Sequence, residues 1–585
     1  MLLAAPNWHW QLRDTEGRLR SQAEMSGRFT LLLFLNTDCP LSNQSAPALA
    51  DLHAAYGDRA VFFAVYSDPL LSESEAAAHT RAYLIPFPSL LDPAQSLTRQ
   101  AGARVTPEAI LLDASGTVRY RGRIDNRSES LGRKRPQATR HDLRLALDAV
   151  LANRAVKIPE TRAAGCAIPE PPKQRGPVTF ARDIAPILHR HCAPCHRPGQ
   201  SGPFPLLTYR DAASRASTIA QAARSRIMPP WLPEPGPPHF LDERRLAHHE
   251  IETLSRWAAA GAPPGDTEPV PPSFPAGPPL GKPDFIAAMP RPYSIAAGSA
   301  DEYRCFVIPT NLADDRWVRA IDFRPGNPAV VHHALIFSDA GSAARRHDAE
   351  QDGEGYRCFG VPGFIPSASF GGWSPGMQPR AYPEGVTFRL HRGANVVVQI
   401  HYHSTGKPET DQSSVAFHFT DQPPTRRLMD VALGSRRIDI PPGEADYRVR
   451  DYFTLPVDVT VIGIIPHAHF LARRMHGQAI LPGGRKITLI DIREWDFNWQ
   501  HNYRYRDPFL LPAGTELEME FSYDNSAANP RNPSSPPQRV AWGPGSTDEM
   551  AGLHLQVIPG RNEDAAELGQ ALWGKLMREF GGRIR

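Results

Sequence analysis

The sequence predicts a multidomain chain in three parts: a small α/β unit, then a short all-α unit, then an all-β half built as a double sandwich. Three observations predict this. Apolar runs alternate with helical spacing as far as about residue 165, a C-x-x-C-H stands at 192–196 between helical segments, and from about residue 293 short apolar strands recur between turns. The 585 residues allow three or four domains at about 100–200 residues each. With 41 % hydrophobic and 22 % charged residues, a wholly disordered chain is excluded. The 65 Lys+Arg against 62 Asp+Glu leave +3, which offers no basic face and excludes nucleic acid as the expected partner. No apolar run approaches the roughly 18 residues of a membrane span. Proline, at 60 residues, is about twice its usual share and favours loops and β-architecture.

Residues 29–36 and 60–66 are apolar runs of the kind a sheet buries on both faces, and 46–56 between them carries helical spacing. The segments 108–113 and 117–121, joined by Ala114-Ser115-Gly116, read as a hairpin, and 141–152 as a closing amphipathic helix. This first unit is expected to span 1–165. In 171–265, helices are expected at 180–191 and 248–260 around a proline-punctuated loop. Residues 266–292 are rich enough in Pro and Gly to read as a semi-stiff linker. Strands follow at 317–323, 330–337, 396–403, 459–465, 515–523 and 554–558, and 561–585 is expected to end in an amphipathic helix. The first six residues have no basic segment and too short an apolar core for a complete export signal.

Cys192-Ala193-Pro194-Cys195-His196 has the spacing that forms two thioethers to one haem, with His196 as axial ligand. Met228, on the loop 226–231, suits the sixth position; the competing reading is core packing. For the two cysteines the competing readings are a disulfide or half a zinc site, but no second C-x-x-C completes a Cys-rich site. The segment resembles a small class I-type cytochrome c, which implies one covalent haem c, electron transfer, and maturation outside the cytoplasm.

Histidines group at strand ends: His332-His333, His401-Tyr402-His403 and His467-Ala468-His469. Residues two apart on a strand share a face, so His467 and His469 can address one ion, whereas His332 and His333 would need a bulge or a strand end. Imidazole sites suit copper or zinc, and an added thioether favours copper. These stretches, with Ser546-Thr547-Asp548-Glu549-Met550, resemble the copper type II, ascorbate-dependent monooxygenases, the family of peptidylglycine α-hydroxylating and dopamine β-monooxygenases. The resemblance covers roughly residues 295–560. It implies two jelly-roll-like β-domains, 293–425 and 426–560, and two coppers per chain. An electron-storing ion would be held by His332, His333 and His401, and a catalytic ion by His467, His469 and Met550. It also implies a disulfide between Cys305 and Cys358, and leaves His403 outside the metal set. An arginine and a tyrosine that hold substrate in the peptide enzyme are replaced by Ile465 and His554, so bidentate carboxylate capture is lost and peptide amidation is not expected.

Cys39, in Asn36-Thr37-Asp38-Cys39-Pro40, stands where a helix begins after a buried strand, a position that stabilises a thiolate. With Val105-Thr106-Pro107-Glu108 as a proline loop facing it, residues 1–165 resemble the redoxin (thioredoxin-like, AhpC/TSA) superfamily. Ser42 replaces the second cysteine of a dithiol motif, Leu32 and Asn36 break the peroxiredoxin pattern, and Cys166 is a candidate resolving thiol. The alternative is a retained fold with a relic cysteine.

The expected protein is an exported (periplasmic or extracellular) copper monooxygenase that hydroxylates a C–H bond of a small molecule or peptide with O2. Its electrons come from an ascorbate-like reductant or redox protein through the haem to the His332/His333/His401 copper, and then to the His467/His469/Met550 copper. Cys39 is an accessory thiol. The rival functions are copper binding with thiol redox chemistry, and a redoxin-centred reductase or peroxidase.

Overall fold

The computed structural model describes residues 8–274 and 280–581. The leading residues read for an export signal, 275–279 of the expected linker, and the last four residues of the C-terminal helix lie outside the described residues.

The first unit is a five-stranded sheet in the order Ser89–Leu91, Ala60–Tyr66, Phe29–Leu35, Glu108–Leu112, Val118–Gly122; the first three strands are parallel and the last two antiparallel. Alternation along Phe29–Leu35 sends Leu31, Leu33 and Leu35 to one core with Leu49 and Leu147, and Leu32 and Phe34 to the other with Trp10. The first helix, Pro40–Tyr56, begins earlier than its apolar spacing suggests, because Pro40 follows the N-cap Cys39 directly and pre-sets the first turn. The unit also continues past its expected end at 165: Cys166–Ala167 pairs antiparallel with Val105–Thr106.

The next segment packs Phe180–Ile184, Ala185–His191, Ala216–Arg224 and His248–Ala259 around Ile184, Leu188, Leu254 and Trp257. Its expected limits, 171–265, do not close on themselves. Trp231 and Phe240 from its long loop enter the core of the last β-unit, where Phe240 bridges Tyr505 and Pro233 bridges Ile492.

The β-rich remainder has two units, each of two sheets around a shared core. In the first, a four-stranded sheet (Phe285–Ala288, Ser414–Thr420, Arg316–Arg324, Phe388–Leu390) faces a five-stranded one (Tyr356–Arg357, Glu302–Pro309, Asn395–Tyr402, Val331–Asp339, Ala368–Trp373). The expected linker therefore ends early: Phe285–Ala288 is an edge strand that buries Ala287, although proline and glycine density dominates the local composition. In the second unit the sheets are Met429–Gly434, Ala551–Pro559, Val459–Ala468, Tyr503–Leu511 and Tyr447–Thr454, Glu516–Tyr523, Ala472–Ile480, Lys486–Ile492. The helix Asp564–Gly581 docks on this core through the fully buried Leu568. Among the described residues, no helix is long and apolar enough to cross a membrane.

Candidate functional site

The strands Val331–Asp339 and Asn395–Tyr402 bring three histidines together. His333 lies opposite His401 in the antiparallel register, and a register shift between Val331 and His333 makes His332 the extra residue of a bulge. That bulge turns two adjacent side chains to one point. The three Nδ1 atoms are 3.1, 3.2 and 3.4 Å apart. A point equidistant from them lies about 1.9 Å from each, close to the roughly 2.0 Å of a metal–imidazole bond. Burial holds His332 and His333 well below the usual imidazole range, so their lone pairs are free at neutral pH.

Tautomers follow from the partners. Asp301 accepts from His401 Nε2 (3.2 Å) and from His403 Nδ1 (2.8 Å), which leaves the His401 Nδ1 lone pair facing the cluster. His403 Nε2 accepts from Lys134 Nζ (2.6 Å) and Gln44 Nε2 (3.1 Å), both from the first unit. Partial burial opposes ionisation of Asp301, but the two imidazole hydrogen bonds and the Lys134 charge hold it well below the usual carboxylate range. The first helix is pressed close here, since a Cβ at Gly406 would lie 2.0 Å from the Asn43 carbonyl oxygen. Asp301→Ala is expected to weaken copper binding at this cluster by about 10–100-fold, the usual cost of losing an outer partner of a metal-binding imidazole. Competition against a chelator measures it; unchanged affinity would show that the Asp301 bond does not orient His401.

The second group forms where Val459–Ala468 pairs with Ala551–Pro559, with Ala468 opposite Ala551, so Met550 falls beside His469. His469 lies one residue past the strand end rather than on it, and turns into the interior. Its Nδ1 donates to the Asp548 carbonyl (3.1 Å), while its Nε2 is buried without a partner. His467 Nδ1 donates to Gln500 Oε1 (2.6 Å), again freeing Nε2. Burial lowers His467 to about 4 and His469 to about 3. Two neutral imidazoles, one with an orphaned buried nitrogen, are a donor set that suits copper or zinc, and Met550, the next residue beyond the ladder, would add the thioether that favours copper. The fully buried Glu549 shapes this turn by accepting the N–H groups of His469, Leu471 and Met550. Tyr303 stacks on His401 (4.1 Å), Phe359 meets Tyr303 (4.5 Å), and Phe359 approaches His469 (5.9 Å), so aromatic rings join the two groups. Cys305 and Cys358 form a disulfide.

Cys192 and Cys195 are free thiols on one turn, with the N–H groups of Cys195 and His196 on the Cys192 carbonyl. Burial pushes the Cys192 thiol up to about 12. His196 Nδ1 donates to the Phe204 carbonyl (3.0 Å), leaving Nε2 for an axial bond. Glycine backbone packs closely against the motif: a Cβ at Gly202 would lie 2.8 Å from His196 Nδ1, and one at Gly376 would lie 3.3 Å from Cys195 Sγ. These features fit a covalent haem. Met228 follows the helix Ala216–Arg224 and bonds its N–H to the Ala222 carbonyl.

In the first unit, Cys39 Sγ donates to the Thr106 carbonyl (2.9 Å), and Cys166 pairs with Thr106 across the short strands. The two buried thiols pack together with Leu41 and Leu131. Burial alone would raise the Cys39 thiol; hydrogen bonds from the Cys166 thiol and from Ser42 bring it down to about 6. Asp301, Lys134, Gln44, Gln500 and Glu549 carry no motif, and only Glu549, adjacent to Met550, lies inside a stretch that the sequence singles out.

Residues 3–121 match the AhpC/TSA family, a redoxin family whose broad class is oxidoreductase, and the described part of that match, from residue 8, has the thioredoxin-like fold. The chain is similar to a hypothetical protein from Sinorhizobium meliloti 1021, with 29 % identity over 29 % of this chain and 94 % of that one (TM-score 0.26). It is similar to an uncharacterised conserved protein from Geobacillus kaustophilus, with 24 % identity over 30 % and 95 % (TM-score 0.26). A secreted Mycobacterium tuberculosis disulfide oxidoreductase homologous to E. coli DsbE shares 20 % identity over 19 % of this chain and 80 % of that one (TM-score 0.18). No curated protein matches the chain.

Proposed function

We propose that this chain is an exported, copper-dependent monooxygenase that carries its own c-type haem, with the redoxin domain as its thiol partner. The observation that carries the reading is the convergence of His332, His333 and His401 Nδ1 atoms on one point, beside a second group whose His469 Nε2 is buried and unpaired. Copper at these two groups would supply one-electron reduction of dioxygen and hydroxylation of a substrate C–H bond, with a haem at Cys192, Cys195 and His196 as the source of electrons.

The residues of the chain prepare both groups. Asp301, Gln500 and the Asp548 carbonyl hold the rings in single tautomers, so no proton has to leave an imidazole before metal binds. Glu549 fixes the turn that sets His469 beside Met550. The two positions that hold substrate in the peptide enzyme are Ile465 and His554 here; they lie opposite each other, and His554 Nδ1 is bonded to Asp430 (3.0 Å). A free-carboxylate peptide is therefore a poor substrate, and an uncharged small molecule or peptide segment is the better fit.

Protein matured in a periplasm should contain one haem and two coppers per chain by metal analysis and optical spectrum. Met550→Ala should abolish oxygenation and keep the haem spectrum; full turnover in that variant would refute the assignment. A second reading, copper binding with thiol chemistry and no oxygenation, is favoured by the buried Cys39/Cys166 pair. Two bound coppers with no oxygen uptake under any reductant would select it.

A further inference from the structure

We propose that electrons from the haem unit reach the His467/His469/Met550 group first, along Arg244, His501 and Gln500, and reach the His332/His333/His401 cluster only afterwards. The inference rests on the metal and haem reading above and reverses the order in which the chain would load its two metals.

The Cys195 edge of the haem unit abuts the turn 374–377 of the first β-unit. At Gly376, whose φ of +83° favours glycine, a Cβ would lie 3.3 Å from Cys195 Sγ and meet an Arg244 guanidinium nitrogen, so both side chains sit against this turn. Arg244 belongs to the haem unit's loop and donates to His501 Nε2. An arginine can only donate, so His501 carries its proton on Nδ1, which lies 2.5 Å from Ser374 Oγ. His501 is thereby held from both sides of the junction. The next residue back, Gln500, accepts from His467 Nδ1 at 2.6 Å. Arg244, His501, Gln500 and His467 are thus linked by hydrogen bonds and one peptide unit, with Cys195 beside the same Gly376 turn as Arg244. Trp231 and Tyr503 flank the His501 ring at 6.2 and 5.6 Å.

The other cluster has different neighbours. The outer partners of His401 and His403 are Asp301, Lys134 and Gln44, the last two from the redoxin unit. Its link to the second group is the ring series Tyr303, Phe359, His469. A charge arriving at His467 can pass on through those rings, which makes the His332/His333/His401 cluster a reservoir filled from behind.

The step is a single electron transfer: a ferrous haem iron becomes ferric, one cupric ion at His467/His469/Met550 becomes cuprous, and no proton changes hands. The full chain, matured with haem and loaded with copper, is flash-reduced at the haem, and the haem absorbance is followed as the electron leaves. The decay should persist in His401→Ala and disappear in His467→Ala. His501→Leu should slow it by about tenfold or more with two coppers still bound by metal analysis, and Gln500→Leu, which removes an outer partner of His467, should slow it when compared at equal copper occupancy. Decay that survives in His467→Ala and vanishes in His401→Ala overturns the proposal, and so does an unchanged rate in both leucine variants. Lack of haem or copper in the wild-type chain before the flash overturns the underlying reading and the route together.

Discussion

Glu549→Leu is expected to be the most damaging single substitution outside the metal-binding side chains. Glu549 has no exposed surface, and its carboxyl accepts N–H groups from His469, Leu471 (3.0 Å) and Met550 (2.9 Å). Leucine fills a similar volume but leaves three buried donors unpaired, at about 1–3 kcal/mol each. A loss of at least about 3 kcal/mol in the second β-unit is expected. The turn that sets Met550 beside His469 should loosen with it, so the copper count should fall by one. Glu549→Gln keeps one acceptor oxygen and should recover part of both. Calorimetry reads the transition of this unit; a leucine variant that melts with the wild type would mean that the buried carboxyl contributes nothing net.

The second large effect concerns the thiol pair. Ultraviolet thiolate absorbance should rise with a midpoint near pH 6 in the wild type, where Cys39 is held at about 6. The transition should vanish in Cys39→Ser and move back toward the ordinary cysteine range in Cys166→Ser, because the Cys166 thiol is a principal donor to the Cys39 sulfur. The linkage has a definite sign. The folded value lies below the unfolded 9.0, so the stability it contributes is fully present above about pH 9 and is lost as pH falls through 6. Three pH units at about 1.4 kcal/mol each make this roughly 4 kcal/mol for a fully buried sulfur. A midpoint near 9 in the wild type would show that the two thiols do not interact. Both cysteines are at most 7 % exposed, so neither sulfur is presented to a large partner.

Strand positions were legible wherever burial is two-sided. All eight residues of Asn395–Tyr402 are buried, and their apolar run marks the strand without help from alternation. The edge strand Phe285–Ala288 was not legible, since four residues with one buried alanine are outweighed by the surrounding proline and glycine. The histidines stood out by residue type and spacing. Joint use of His332 and His333 required a bulge or a strand end; that it is a bulge was not legible, because a register shift belongs to two strands 69 residues apart at His401 and is written in neither. Nor could sequence place Cys166 against Cys39, or Lys134 and Gln44 behind His403: those contacts cross between units whose docking no local pattern encodes.

By itself, then, the sequence showed which side chains have the residue types and spacings that metal, haem or thiol chemistry would use, and which runs of chain become strands, because residue type and short-range periodicity are local properties. The tertiary structure alone decided the hydrogen-bond partners that set the histidine tautomers, the thiol beside Cys39, and the bonds that join Arg244 to His501 and Gln500 to His467. Each of these depends on polar groups brought within about 3 Å from distant parts of the chain, a range at which hydrogen bonds act and which sequence separation does not report.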